Sequence, residues 1–245
     1  MDRRDTAVTL PWMGAGTELF ARAVGALPDD ALCAPSALPG WSRAHVVAHV
    51  ARNAEALIRL ATWARTGVET PMYPSREARA ADIEASSQKP VDVLRAELVS
   101  TAADLDAALA ALDEKTWQAE VRSALGRPIP AAEIPWMRVR EVWLHAVDLD
   151  AGVSVSEIAP DVVDTLLDDA TGMLSGAEGC PSALLAPTDR DRTWPLGPAT
   201  DAPVRVRGPA AQVLGWLVGR CGGDAVEAVA ADGAPTAVPQ PPRWL

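Results

Sequence analysis

Three histidines and one glutamate are the residues of this chain best suited to do chemistry. His45, His49 and His145 are its only histidines, and Glu141 precedes His145 by four residues. Residues four apart on a helix point the same way, so Glu141 and His145 can offer an oxygen and a nitrogen to one ion. His49, in another strongly helical stretch, can supply a third ligand. Three such ligands with an open position are typical of a catalytic zinc, whereas four groups, mostly Cys, close a structural one.

The segment that carries Glu141 and His145 also permits a simpler interpretation. Arg138, Glu141, His145 and Asp148 form one polar stripe on a helix whose other positions are largely apolar. Such a stripe is equally typical of a salt-bridged outer face. From the residues alone, both interpretations stay open.

His49 has its own alternative. Val46, Val50 and Asn53 mark its face as mostly buried, where an imidazole needs a partner. It is either a hydrogen-bonded core histidine or a metal ligand. His45, one turn earlier, competes for the ligand role, but its place near the helix start predicts the edge of the site or the surroundings of the ligands.

The three cysteines do not indicate a metal site or a disulfide framework. Cys33, Cys180 and Cys221 are widely spaced, odd in number and without a Cys-x-x-Cys pair. We expect free, mostly buried thiols.

Length and charge limit the partners. The chain has 245 residues, enough for a main domain and a smaller companion. Its net charge of -11 argues against nucleic-acid and anionic-membrane partners, which select basic surfaces. An anionic substrate must therefore be held by a local group of arginines. No stretch has the character of a signal peptide or membrane span, so we expect a soluble, cytoplasmic protein.

The first 160 residues are predicted to be a helical bundle. Apolar spacing indicates helices from about Trp12 to Leu27, from Ser42 as N-cap through Leu60 with the next loop after Gly67, from Pro90 to about Leu112, and from Pro135 to Gly152. A Pro-bounded loop, Glu69 to Pro74, separates the second from the third. Four long helices with connecting loops imply a four-helix bundle whose inner faces can hold a metal.

Residues 161–245 are predicted to form a small α+β domain packed on the bundle. A fifth helix, about Pro160 to Leu174, leads into a Pro- and Gly-rich region with short alternating runs. The expected strands there are 183–186, 192–196, 204–207 and 226–229, with a short helix from Ala210 to Arg220 before the last. The predicted fold class is therefore α+β.

Longer motifs bring in a family resemblance. The stretch Trp41-Ser-Arg-Ala-His-Val-Val-Ala-His49-Val resembles the second helix of the DinB-like metal-binding bundles, in which the second of the two histidines is the ligand. Three further stretches are similar to the mycothiol-dependent maleylpyruvate isomerases: Trp63-Ala-Arg-Thr-Gly-Val-Glu-Thr-Pro-Met-Tyr73, Trp136-Met-Arg-Val-Arg-Glu141-Val-Trp-Leu-His145-Ala-Val-Asp-Leu, and the terminal Pro-Pro-Arg-Trp-Leu. The similarity runs from the first helix to the last residue.

The resemblance implies a zinc site and an active arginine. Zinc in that family is held by one His of the second helix and the Glu and His of the fourth, which here are His49, Glu141 and His145. An arginine at the end of the helix in the C-terminal domain is important for activity, and it falls on Arg220. A surface arginine that ends a helix is the alternative for Arg220. No motif gives Cys221 a role.

The resemblance also implies a reaction, the maleylpyruvate step of gentisate-type aromatic degradation. Maleylpyruvate, a small dicarboxylate, can rotate about its C=C bond only while that bond is single, and reversible addition of a thiolate achieves this. Zinc would deprotonate the thiol of mycothiol. The thiolate would add, the enolate would rotate, and expulsion of the thiol would give fumarylpyruvate. Arg220 would hold a carboxylate or the enolate oxygen.

Two other functions use the same residues. A mycothiol S-transferase would conjugate an electrophile and release a stable adduct. A non-catalytic helical module would bind metal or a small acid without thiol-dependent turnover. The Thr66 to Tyr73 loop and the matched C-terminal domain favour the isomerase, because generic bundle members share the zinc ligands and little else.

Overall fold

The computed structural model describes residues 2–244 and confirms the α+β class. Its α-helices are α1 (Thr6–Ala26), α2 (Arg43–Thr66), α3 (Arg76–Ser87), α4 (Val91–Ala110), α5 (Glu114–Trp117), α6 (Ile134–Asp148), α7 (Pro160–Leu174) and α8 (Ala210–Leu217). Its strands are β1 (Glu120–Arg122), β2 (Pro128–Pro130), β3 (Ala183–Leu185), β4 (Trp194–Leu196), β5 (Val204–Arg207) and β6 (Glu227–Val229). Leu245, the last residue of the C-terminal motif, lies outside the described residues.

The chain forms two compact units, Met1–Val153 and Ser154–Leu245. The sequence predicts the domain boundary after residue 160, at the start of α7. In the structure the short 3-10 turn Val155–Glu157 packs against α8 and belongs to the second unit.

The first unit is built from the four long helices α1, α2, α4 and α6. Helix α1 packs on α6, α2 packs on both α4 and α6, and α3 lies against α2. Apolar side chains from all four long helices are almost wholly buried between them, among them Phe20, Leu57, Leu60, Leu94, Leu105 and Val139. No helix within residues 2–244 has the length and apolar character needed to cross a membrane.

Helix α2 begins and ends where the sequence predicts a boundary signal. The Ser42 side chain accepts a hydrogen bond from the backbone N–H of His45, and the His45 ring accepts one from the Ser42 backbone N–H in return. This reciprocal cap satisfies two backbone groups that a helix start leaves unpaired. At the other end, Gly67 has φ 72° and its N–H reaches Trp63 O at 2.8 Å, as in a left-handed helix cap.

Three of the predicted boundaries are wrong. Helix α1 starts earlier, at Thr6, because the Asp5 side chain caps it there, and the helix then continues through Pro11. Helix α6 ends at Asp148 and not Gly152, since Asp150 turns the chain with φ 51°. Helix α8 ends at Leu217.

Helices α3 and α5 and strands β1 and β2 were not predicted. All four occupy stretches without a predicted element, and β1 and β2 form a small antiparallel hairpin.

Two arginines fix α2 against α6 in antiparallel orientation. Arg43, at the start of α2, donates to Leu149 O at 2.7 Å and Asp150 O at 2.6 Å, just beyond the end of α6. Arg138, early in α6, donates to Val50 O at 2.6 Å. The first turns of α2 therefore lie beside the last turns of α6, and the residues predicted as ligands come from these turns.

In the second unit a four-stranded sheet carries two helices. The strand order is β4-β3-β5-β6; β3 and β5 are parallel and the other pairs are antiparallel. Helix α7 packs on β4 and on α8. The four strands lie where the alternating runs predicted them.

The cysteines are all free, as predicted, but the expectation that they are mostly buried is wrong. Cys33 is exposed, and Cys180 and Cys221 are half-buried. Cys33 follows a buried Leu32 in an irregular 3-10 turn, where the apolar side chain occupies the core position.

The contact between α1 and α6 predicts a stability effect at Gly16. A Cβ there would lie 2.6 Å from Val142 Cγ2 and from Trp143 Nε1. Overpacking of this kind costs about 1–3 kcal/mol, so Gly16→Ala should lower the Tm by roughly 3–10 °C in a thermal melt. Gly14→Ala is the matched control, because its Cβ meets nothing within 4 Å and alanine favours the helix. Equal melting temperatures would contradict the close packing.

Candidate functional site

His49, Glu141 and His145 come together at one point between α2 and α6. Glu141 Oε2 lies 2.9 Å from His49 Nε2 and 3.1 Å from His145 Nε2. One ligand atom from each of the three residues lies within 4.8 Å of the other two. The two imidazole rings stand nearly perpendicular, with interplanar angle 86° and centroids 4.7 Å apart. One small ion could be reached by all three atoms.

The polar stripe of α6 is largely turned toward α2. Its Arg138 and Asp148 are each only 1% exposed, the Glu141 side chain is 28% exposed, and His49 on the facing α2 is 3% exposed. Arg138 donates hydrogen bonds to Val50 O and to the Asn53 side chain. These bonds connect α6 to α2 one turn from Glu141. The alternative of an exposed salt-bridged stripe is therefore excluded for Arg138 and Asp148.

Asp148 orients His145. Its Oδ2 lies 2.9 Å from His145 Nδ1, and its side chain is buried. A neutral imidazole that donates Nδ1–H to a carboxylate leaves Nε2 with a lone pair. His145 Nε2, on the side of Glu141, is thus the nitrogen available to a ligand.

The three side chains shift the pKa values of one another. Burial alone would raise the pKa of Glu141, but the neighbouring His49 and His145 outweigh it and hold that pKa well below its ordinary value. Burial lowers the pKa of His49 against the opposing effect of Glu141. Burial also acts to lower the pKa of His145, but hydrogen bonds to Asp148 and Glu141 prevail and raise it. The cluster therefore keeps a carboxylate beside two imidazoles.

His45 does not join the cluster. Its Nδ1 belongs to the cap formed with Ser42, and its Nε2 lies 3.1 Å from Glu84 Oε2. Its ring stacks on Trp41, whose indole also packs edge-on against His49 with the ring centroids 5.6 Å apart. His45 thus lies near the cluster with both nitrogens engaged elsewhere, at the edge of the site.

Two side chains beside the cluster, Arg79 and Tyr73, had no role predicted from the sequence. Arg79, on α3, has Nη2 3.3 Å from His49 Nδ1. Its guanidinium carbon also lies 5.6 Å from the centre of the Tyr73 ring. Burial raises the pKa of the Tyr73 hydroxyl, and the charge of Glu141 adds to this effect. Tyr73 ends a motif that the sequence analysis quoted, whereas Arg79 is in no motif and only the tertiary structure identifies it.

Arg220 belongs to the second unit. It follows α8 after Gly219, which has φ 75°, and is half-buried. Its backbone N–H donates to Gly215 O at 2.7 Å and its Nη1 donates to Val218 O at 2.7 Å. The guanidinium therefore folds back onto the backbone of the turn that follows α8, and it does not extend along the surface of a helix.

The second unit offers no comparable group among the described residues. Within residues 2–244, one group of at least three His, Cys, Asp or Glu side chains is close enough together to hold an ion, and it consists of His49, Glu141 and His145. A catalytic type of metal centre is the chemistry that this donor set best supports, because it contains nitrogen and oxygen donors only.

Both parts of the chain match known protein families. Residues 13–150 match the family model described as the mycothiol maleylpyruvate isomerase N-terminal domain, and residues 157–240 match the MDMPI C-terminal domain. A search of curated proteins finds no match.

Two solved structures are similar over the whole chain. One is a crystal structure of the mycothiol-dependent maleylpyruvate isomerase, and the other is a variant of that enzyme with one histidine replaced by alanine. Each is 36% identical to this chain, has a TM-score of 0.89, and is matched over 100% of this chain and 98% of its own length. With both domains matched, the chain belongs to the mycothiol maleylpyruvate isomerase family.

Proposed function

We propose that this protein catalyses the zinc- and mycothiol-dependent isomerisation of maleylpyruvate to fumarylpyruvate. The observation that carries the proposal is the convergence of His49, Glu141 and His145 on one point in a chain of this family. The named activity of the two similar crystal structures supports the choice of substrate and thiol.

The donor set fits zinc. Zinc bonds to nitrogen and oxygen of about 2.0–2.2 Å place neighbouring tetrahedral ligands about 3.4 Å apart. The distances of 2.9 and 3.1 Å from Glu141 Oε2 to the two Nε2 atoms are close to this spacing. Asp148 supplies the carboxylate partner that a zinc-bound histidine commonly has on its other nitrogen.

In the proposed reaction the protein holds and orients its reactants. A zinc ion in the site would lower the pKa of the mycothiol thiol, whose thiolate adds reversibly to the substrate C=C bond so that rotation becomes possible. His49, Glu141 and His145 fix the position of that chemistry, and Asp148 keeps the proton of His145 on Nδ1. Arg220 would hold a carboxylate or the oxygen on which charge develops.

The test is conversion of maleylpyruvate, followed by ultraviolet absorbance, with and without mycothiol and zinc. We expect fumarylpyruvate only when both are present. Conversion at the same rate without mycothiol would contradict the proposal. Zinc-loaded protein without any thiol-dependent turnover would also contradict it and would indicate a non-catalytic module.

Substitution of Asp148 should weaken zinc binding. Asp148→Asn removes the charge that orients His145, and loss of such a partner typically lowers metal affinity about 10- to 100-fold. Competition with a chromophoric chelator measures the zinc affinity. Asp150→Asn is the matched control, since the Asp150 side chain is 73% exposed and bonds to no proposed ligand. Equal zinc affinity in the two variants would mean that Asp148 does not support the site.

The cysteines of the protein should be dispensable. The proposed ligands contain no sulfur, and Cys33, Cys180 and Cys221 are free and belong to no metal cluster among the described residues. A triple Cys→Ser variant that retains the far-ultraviolet spectrum should keep its mycothiol-dependent activity. Mycothiol should also act far better than cysteine as the added thiol, because binding of the rest of the molecule orients the sulfur. Loss of turnover in the folded triple variant would assign a protein thiol to the reaction.

A further inference from the structure

Arg79 lies at the site and has no acidic partner among residues 2–244. Its guanidinium touches the ring nitrogen of His49 and the face of Tyr73, and it is half-buried. Within residues 2–244 no carboxylate lies within ion-pair distance of Arg79, although Arg52, on the adjacent α2, bonds to both Glu55 and Glu97. The chain has 33 acidic and 22 basic residues, so acidic partners for an arginine are plentiful. A partly buried arginine that pairs with none of the described carboxylates is suited to bind an anionic ligand.

The bond between Arg79 and His49 fixes the proton of the imidazole. A guanidinium only donates, so His49 Nδ1 must accept the bond, and a neutral ring then carries its proton on Nε2. That proton points to Glu141 Oε2 at 2.9 Å.

The same bond is incompatible with His49 as a neutral metal ligand. Ligation through Nε2 requires the lone pair there, and the proton then moves to Nδ1. Nδ1–H and the Arg79 N–H would both be donors, so Arg79 must leave His49. Tyr73 provides an aromatic face beside the cluster on which a displaced guanidinium can remain.

From this geometry we propose that Arg79 binds a carboxylate of the substrate, and that it is released for this task when an ion displaces it from His49. The inference rests on the proposed function for the identity of that substrate, a small dicarboxylate. Arg79 would be a second anion-binding arginine in addition to Arg220. Its planar fork suits a carboxylate, and its place on α3 brings it to the side of His49 opposite Glu141, because the two contact different ring nitrogens.

The experiment compares binding, not turnover. Titration calorimetry measures the affinity of zinc-loaded protein for maleate, a dicarboxylate with the same cis C=C bond, and chelator competition measures the zinc affinity of each variant. The variants are Arg79→Ala and Arg79→Lys. The matched control is Arg76→Ala, an exposed arginine one turn earlier on α3.

Arg79→Ala should bind maleate about 10- to 100-fold more weakly than the wild type, which is the range for loss of a charged hydrogen bond. Its zinc affinity should be equal or higher, because the competing donor on His49 is gone. Arg79→Lys should recover only part of the maleate affinity, and Arg76→Ala should match the wild type in both measurements.

Two results would overturn the inference. Unchanged maleate affinity in Arg79→Ala would remove the substrate contact, and a parallel loss of zinc affinity would mean that Arg79 merely positions His49. Neither measurement depends on turnover. Failure of maleylpyruvate conversion by the wild type would therefore count against the proposed function and leave the test of Arg79 readable.

Discussion

Replacing His49 with alanine is expected to remove most of the zinc and, with it, the thiol-dependent activity. His49 contributes one of three converging donor atoms, and the loss of a ligand should cost more than the roughly 10- to 100-fold in affinity that follows loss of a supporting residue. Purified wild-type protein should carry close to one zinc per chain by elemental analysis. His145→Ala should behave like His49→Ala, and the helical signal should persist in both.

His45→Ala is the matched control for that experiment. His45 lies four residues before His49 on α2, but its two nitrogens contact Ser42 and Glu84. The substitution should weaken the helix cap and leave the zinc content intact. Full zinc in His49→Ala, with loss only in His45→Ala, would show that the wrong histidine had been assigned.

Arg220 is expected to give the second large effect. If it holds the anionic group on which charge develops, Arg220→Ala should lower kcat by about 100- to 1,000-fold while zinc content stays unchanged. Arg220→Lys should recover little, because an ammonium cannot form the planar fork.

The control for Arg220 is Arg205→Ala, an exposed arginine on β5 of the same unit. It should retain the wild-type kcat. A normal kcat in both Arg220 variants would assign that residue to the fold, where its bond to Val218 O braces the turn after α8.

The sequence was informative where a local rule determines the structure. The Ser42 cap, the helical spacing of Glu141 and His145, and the alternating runs of the small domain each depend on neighbours in the chain, and all were predicted correctly. The inward orientation of the α6 stripe was less accessible, since it depends on packing against α2. The position of His45 near the helix start favoured His49 as the ligand, and the family resemblance selected it.

The parts of the fold and of the site that the sequence did not predict depend on contacts between residues far apart in the chain. Helix α3 is rich in charged residues and alanine, and Ile83 is its one large apolar side chain that is buried, so its periodicity was weak. Its start could have been found from Ser75, which caps it after Pro74. The position of Arg79 beside His49 had no comparable signal, because only the packing of α3 on α2 brings its guanidinium there.

The fate of the thiol tests the central claim most directly. A thiol that adds to the double bond and leaves again is regenerated, whereas a transferase consumes it. Zinc-loaded protein should therefore convert many equivalents of maleylpyruvate to fumarylpyruvate with one portion of mycothiol, and a thiol assay should recover that mycothiol unchanged. Disappearance of one mycothiol per substrate into a stable adduct, with no fumarylpyruvate formed, would contradict the isomerase and support the S-transferase.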